Sequence, residues 1–242
     1  MAAQEILILA VTQMRSGVCT AGFSRQPDPM THLSWVRPVK DFGSLLLGDL
    51  TDSSGRVLRD GDVVRLCLLE HRPNPPHVED WVTDFVYQRP CLLRRLEGDR
   101  RAGFLAAHLD KRPEEVLGPK PTRSLCLIRP DDFWAAFSLD PYSGKFEPRM
   151  GFVLSGVRHE RANSSKGIPV TDLKWRALGR KWLGHTRSEL RLDRATLSKR
   201  LQTEEIFLAL GLGREYQGQT WLLVIGVHLV PDYQVEVDYS NL

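Results

Sequence analysis

The chain has 242 residues, 42% of them apolar and 26% charged, the balance of a folded protein with its own core rather than a disordered segment. Its net charge is only +3, so the whole chain is no polycation, and its four cysteines (Cys19, Cys67, Cys91, Cys126) are too far apart for a C-x-x-C redox or zinc knuckle. The start carries Glu5 where a secretory leader would be basic, and the longest apolar run, "WLLVIGVHLV", is well short of the roughly 18–20 residues a bilayer requires. A cytosolic protein with no membrane span is expected.

"EILILAVTQ" predicts a buried strand, and "VCTAGFS" a second one after a turn at Gly17. "HLSWVRPV" alternates enough for a short strand that Pro38 confines to an edge or an end. Asp60-Gly61 makes a turn before the strong strand "DVVRLCLLE". Short strands with tight turns point to a small barrel or sandwich. "EGDRRAGFLAAHLDKRPEEVLG" reads as helix capped by Asp99, with a further turn from Pro113 to Gly118. The composition of "GPKPTR" places a boundary near 118–123, giving halves 1–118 and 119–242.

The second half opens with the strand "SLCLIRP". "DDFWAAFSLD" fits strand or helix, "FEPRMGFVLSGVRHE" reads as strand and "RANSSKG" as turn. "TRSE" at 186–189 fits a capping box, so a helix is expected to begin there. "TEEIFLALGLG" reads as a short helix stopped by Gly211 or Gly213. "TWLLVIGVHLV" and "YQVEVDY" read as a closing strand pair joined at Pro231-Asp232. The fold class is therefore mainly β with several short helices, an α+β chain.

Charge is unevenly placed. Between Arg158 and Arg200 there are twelve Lys or Arg against four Asp or Glu, so the rest of the chain is slightly acidic. Such a cluster suggests an acidic partner. Within it, "TDLKWRALGRKWL" is coherent as a helix: Trp175, Leu178 and Trp182 share one sector, flanked by Lys174 and Lys181 on one side and Arg176 and Arg180 on the other. That pattern buries the tryptophan face and leaves the cations as a rim able to hold phosphates; an exposed Trp175 would instead serve for stacking.

Catalytic signatures are missing. There is no phosphate-binding G-x-x-x-x-G-K-S/T loop, no G-x-S-x-G elbow and no H-E-x-x-H, and the seven histidines show no metal-ligand spacing. The reading is a non-catalytic module with no cofactor and no metal.

Three motifs occur in order: "CTAG" (19–22), "WVRPV" (35–39) and "VTDLKW" (170–175), with two apolar strands closing the chain. In these the chain resembles a bacterial family, the dual OB-containing domain proteins, over nearly its full length. It departs at Leu173, where proline is usual, and at "VTQMRSG", where asparagine, serine and lysine are more common. The resemblance implies two OB-like barrels packed as one compact unit, recognising nucleic acid or nucleotides, often in bacterial defence systems, and it brings no catalytic residues. On this reading Trp35 and Arg37 belong to one face of a first-barrel strand: outward they offer stacking and a phosphate contact, inward Trp35 plugs the barrel. Lys174, Arg176, Arg180 and Lys181 are the expected phosphate contacts, and single-stranded or structured nucleic acid the expected partner. A sensor of a small nucleotide or cyclic oligonucleotide, or a protein-interaction scaffold, stays open.

Overall fold

A computed structural model describes every residue except 1, 15, 30, 161–166, 185–186, 216–217 and 241–242. The chain begins with β1 (Ala2–Met14), β2 (Gly17–Ser24), β3 (Trp35–Val39), β4 (Asp62–His71), β5 (Asp80–Thr83) and β6 (Cys91–Arg95). β1 is long enough to pair twice, its first half with β4 and its second with β2, both antiparallel. β2 pairs with β3, β3 runs parallel to β5, and β5 returns to β4. These five strands close into the Greek-key barrel of an OB fold, and β6 extends it from β4.

Helices α1 (Gly98–Ala107) and α2 (Glu114–Leu117) follow. The N-cap of α1 is Glu97, and Asp99 lies inside the first turn, where a carboxylate still favours the positive end of the helix. Residues 118–123 end on Arg123, which is buried and paired with Asp110 at 2.7 Å and Glu115 at 2.7 Å, so the stretch with linker composition is pinned in place.

The chain then runs through β7 (Leu125–Ile128), β8 (Asp132–Leu139), β9 (Phe146–Leu154), β10 (Val157–His159), β11 (Ile168–Pro169), α3 (Leu173–Leu183), β12 (Glu189–Asp193), α4 (Arg194–Leu201), β13 (Glu205–Leu212) and β14 (Leu222–Val230). β7 and β8 act as two halves of one strand: β7 pairs with β13 and β8 with β9. β9 pairs with β11, Val170 bridges in parallel to Val224 of β14, and β14 pairs with β13. The first circuit is thus repeated, with α3 placed between the third and fourth positions.

Three local expectations are corrected. "TEEIFLALGLG" is not a helix but largely β13, because both its faces are covered: Ile206, Leu208 and Leu210 fill the second barrel while Phe207 and Ala209 face the first. A strand buried on both sides loses the alternation that identifies it in sequence. β14 pairs with β13, not with 233–239, and its other edge already meets Val170, so the tail forms no strand. Thr186 and the turn at 161–166 lie outside the described residues; the helix expected from 186 begins instead at Arg194, where the Asp193 side chain accepts from Thr196 N at 2.8 Å.

One cluster of apolar side chains fills each barrel, and a third joins them. A register shift between Ile8 and Ala10 turns both Leu9 and Ala10 toward this third cluster, which Phe23, Trp35, Leu125, Phe207 and Ile225 share. Trp35 therefore follows neither simple expectation. It lies outside the first barrel, whose interior is filled by its neighbour Val36, and it is buried in the third cluster, against the Phe23 ring and beside Asp110.

Candidate nucleic-acid interface

α3 forms where its sequence predicts, and Asp172 is its cap. One carboxylate oxygen accepts from Lys174 N at 2.8 Å and Trp175 N at 3.1 Å; the other accepts from Val227 N at 2.7 Å. Gln13 N donates to Thr171 O and Thr171 N to Val224 O, both at 2.9 Å. The valine-threonine-aspartate motif thus ties β1, β14 and α3 together. Trp175, fully buried, and Leu178 face the second core, and Gly179 leaves room for the Phe137 ring. Trp175 has no free face for a base.

The cations flanking this helix divide sharply. Lys174 is only 16% exposed; its ammonium lies 2.8 Å from Asp232 and 3.6 Å from Asp60, above the Tyr233 ring. It belongs to an internal network that also holds Arg101 and His228, a correction to its expected place on a phosphate-holding rim. Arg176 is half-buried over the Phe146 ring; burial, and then Arg180, lower its pKa to about 10, so it stays charged at neutral pH. Arg180 and Lys181 are exposed. Arg200 of α4 lies over the Trp182 ring, 4.8 Å from its centroid, which brings the ends of α3 and α4 together. Of the nine Lys and Arg from 174 to 200, only Lys174 forms an ion pair among the described residues.

Burial, and then the nearby Asp60 charge, raise Asp172 from its ordinary 3.8 to about 7, against the opposing pull of its backbone donors and Lys174. A carboxyl with a raised pKa holds its proton more firmly in the folded state, so its contribution is full below 3.8 and is lost as pH rises through about 7. Asp172→Asn stays neutral throughout. Wild-type stability relative to this variant should therefore fall between about pH 4 and about pH 7, as read by denaturant unfolding. A difference that stays constant over this range would contradict the assignment.

A second feature lies on the first barrel. The β2–β3 face, with the loops after β1 and between β4 and β5, is where OB barrels take their ligands. Here that face carries a cavity of about 490 Å³ whose far side is supplied by β13, β14 and the turn between them. All three sequence motifs reach it, through Cys19, Thr20 and Ala21, through Arg37, Pro38 and Val39, and through Thr171. Arg37 is buried and donates Nε to Asp80 Oδ1 at 2.6 Å. The same carboxylate pairs with Arg214 from the β13–β14 turn, a bridge between the two halves. Burial raises the pKa of Cys19, which keeps its side chain a neutral thiol.

The sequence showed Arg37 but missed Arg72, Asp80 and Arg214, which lie in loops or at strand ends and carry no periodic signal. It also looked to Trp35 and Trp175 for stacking. Both are buried, and Trp35 spends its indole N–H on Asp110 at 3.3 Å. The most exposed aromatic rings among the described residues are elsewhere: Phe42 at 84%, Tyr87 at 90% and Tyr142 at 96%. Among the described residues no group of His, Cys, Asp and Glu converges as a metal site, and no helix is long and apolar enough to cross a membrane.

A family model described as the dual OB-containing domain matches residues 4–227. The chain belongs to this family. No curated protein and no solved structure matches it. Membership accounts for the two strand circuits, and in this dual OB-containing domain protein the motifs have physical roles. The glycine of "CTAG" is required by close approach: a Cβ at Gly22 would lie 2.1 Å from the Leu7 carbonyl oxygen.

Proposed function

We propose that this dual OB-containing domain protein is a non-catalytic nucleic-acid-binding module that holds phosphates through the segment 158–200. The observation that carries this reading is the run of unpaired cations on α3, α4 and the residues between them. Elsewhere many arginines are committed to carboxylates, as Arg95 is to Asp62 at 2.6 Å and Arg123 to Asp110 at 2.7 Å. Arg180, Lys181, Arg187, Lys199 and Arg200 are exposed and have no such partner among the described residues, leaving them available to a polyanion. Arg176 backs them from a half-buried position.

The test is fluorescence anisotropy of a labelled single strand at two salt concentrations. Five phosphate contacts would give a log–log slope of about −3.5, an affinity loss of about 100-fold between about 50 and 200 mM salt. Binding absent at the lower salt, or unaffected by salt, would overturn the reading.

A further inference from the structure

We propose that the cavity between the first-barrel face and β13–β14 is a nucleoside-phosphate pocket, taking one base and its phosphate. This deepens the nucleic-acid reading: it adds a site that grips a single nucleotide to a surface that grips a backbone.

The volume, about 490 Å³, lies within the range of small-molecule sites. One part of the wall is apolar, formed by Ala21, Leu45, Leu223 and Ile225, and suits the flat faces of a base. Another part is cationic, formed by Arg37, Lys40, Arg72 and Arg214, with Asp80 the one acidic residue in the lining. The cations are held by carboxylates in different ways. Asp80 is buried and fixes Arg37 and Arg214, whereas the partners of Arg72, Asp41 at 2.8 Å and Glu70 at 2.9 Å, are 55% and 63% exposed. Arg72 can therefore turn to a phosphate at little cost, because exposed pairs are weak.

Arg37 is held in the wall by Asp80: its Nε and Nη2 both lie 2.6 Å from Asp80 Oδ1, which fixes one positive charge beside the apolar part of the cavity. The loop from Lys40 to Leu45 lines the cavity at Lys40, Gly43, Ser44 and Leu45, and carries the exposed ring of Phe42 between them. That ring can stack on a base.

The experiment titrates the full chain with AMP, CMP, GMP and UMP by calorimetry, repeats this with R72Q/R214Q, and follows competition with the labelled strand. Arg72 and Arg214 are 44% and 48% exposed, so the double variant is expected to fold, which circular dichroism checks. Photo-crosslinking of 8-azido-AMP to wild type maps the same site without any variant. Expected are binding of at least one monophosphate, a loss of at least about tenfold in R72Q/R214Q, and adducts within 37–45 or 211–225. Displacement of the strand would make the ligand a nucleotide of that strand; binding without displacement would make it a free nucleotide, and both support the pocket. A strand that binds while no monophosphate binds or crosslinks overturns the pocket and leaves the nucleic-acid reading standing. Monophosphate binding without strand binding does the reverse, and absence of both overturns the two together.

Discussion

Replacing Arg180, Lys181, Lys199 and Arg200 together by glutamine is expected to weaken single-strand binding by about 100-fold at low salt while lowering thermal stability only slightly. The four side chains are exposed and have no carboxylate partner among the described residues, so their charges contribute little to the fold beyond the contacts of Arg180 with the Phe146 ring and Arg200 with the Trp182 ring. Each phosphate they neutralise adds about 0.7 to the salt slope of a single strand, so loss of four contacts should flatten the slope by about 3. A general drop in affinity with an unchanged slope would mean that these cations do not touch phosphate. Lys174→Gln is the informative control. Its ammonium is held by Asp232 and Asp60, so this change should lower stability and leave the salt slope nearly as it was.

Gly226→Ala is expected to destabilise the protein by about 2–3 kcal/mol, because it wedges a methyl group between the two barrels. A Cβ there would lie 2.5 Å from the carbonyl oxygen of Leu9, 2.9 Å from His228 Nε2 and 3.1 Å from the Ala209 Cβ. The nearest atom is backbone of β1, which cannot swing aside as a flexible side chain would. His228 is fully buried within the Asp60–Arg101 network and has no room to retreat. Relief requires β14 to move away from β1, opening the shared cluster of Leu9, Phe207 and Ile225. For a chain of this size the melting temperature should fall by roughly 5–10 °C. A fall of less than about 1 °C would show that the barrels are not seated against each other at this strand.

The sequence was most legible where one element answers to one core. α3 was readable because Trp175 and Leu178 recur at helical spacing and face a single cluster. β13 was misread because it serves two clusters at once, so its apolar residues do not alternate with polar ones. The closing strands were mispaired for a related reason. "YQVEVDY" has strand-like residues, but β14, the strand before it, already pairs with β13 on one side and meets Val170 on the other. In the candidate interface, clustering of charge located the basic segment, and Arg37 was visible through its motif. Phe42, Arg72 and Arg214 carried no local signal.

Alone, the sequence determined a β-rich chain, the order of the three motifs, the helix after Asp172 with its tryptophans on one face, and a concentration of cations between 158 and 200. These are properties of neighbouring residues, set by spacing and composition. Tertiary structure decided which cations are free, because their partners are remote in the chain: Lys174 meets Asp232 58 residues away, and Arg37 meets Asp80 43 residues away. It also decided that Trp35, on the outside of one barrel, is buried in the cluster that joins the two barrels, and that three separated motifs enclose one cavity. An ion pair and a cavity wall are made by distance in space, and the local pattern of a sequence does not record that distance.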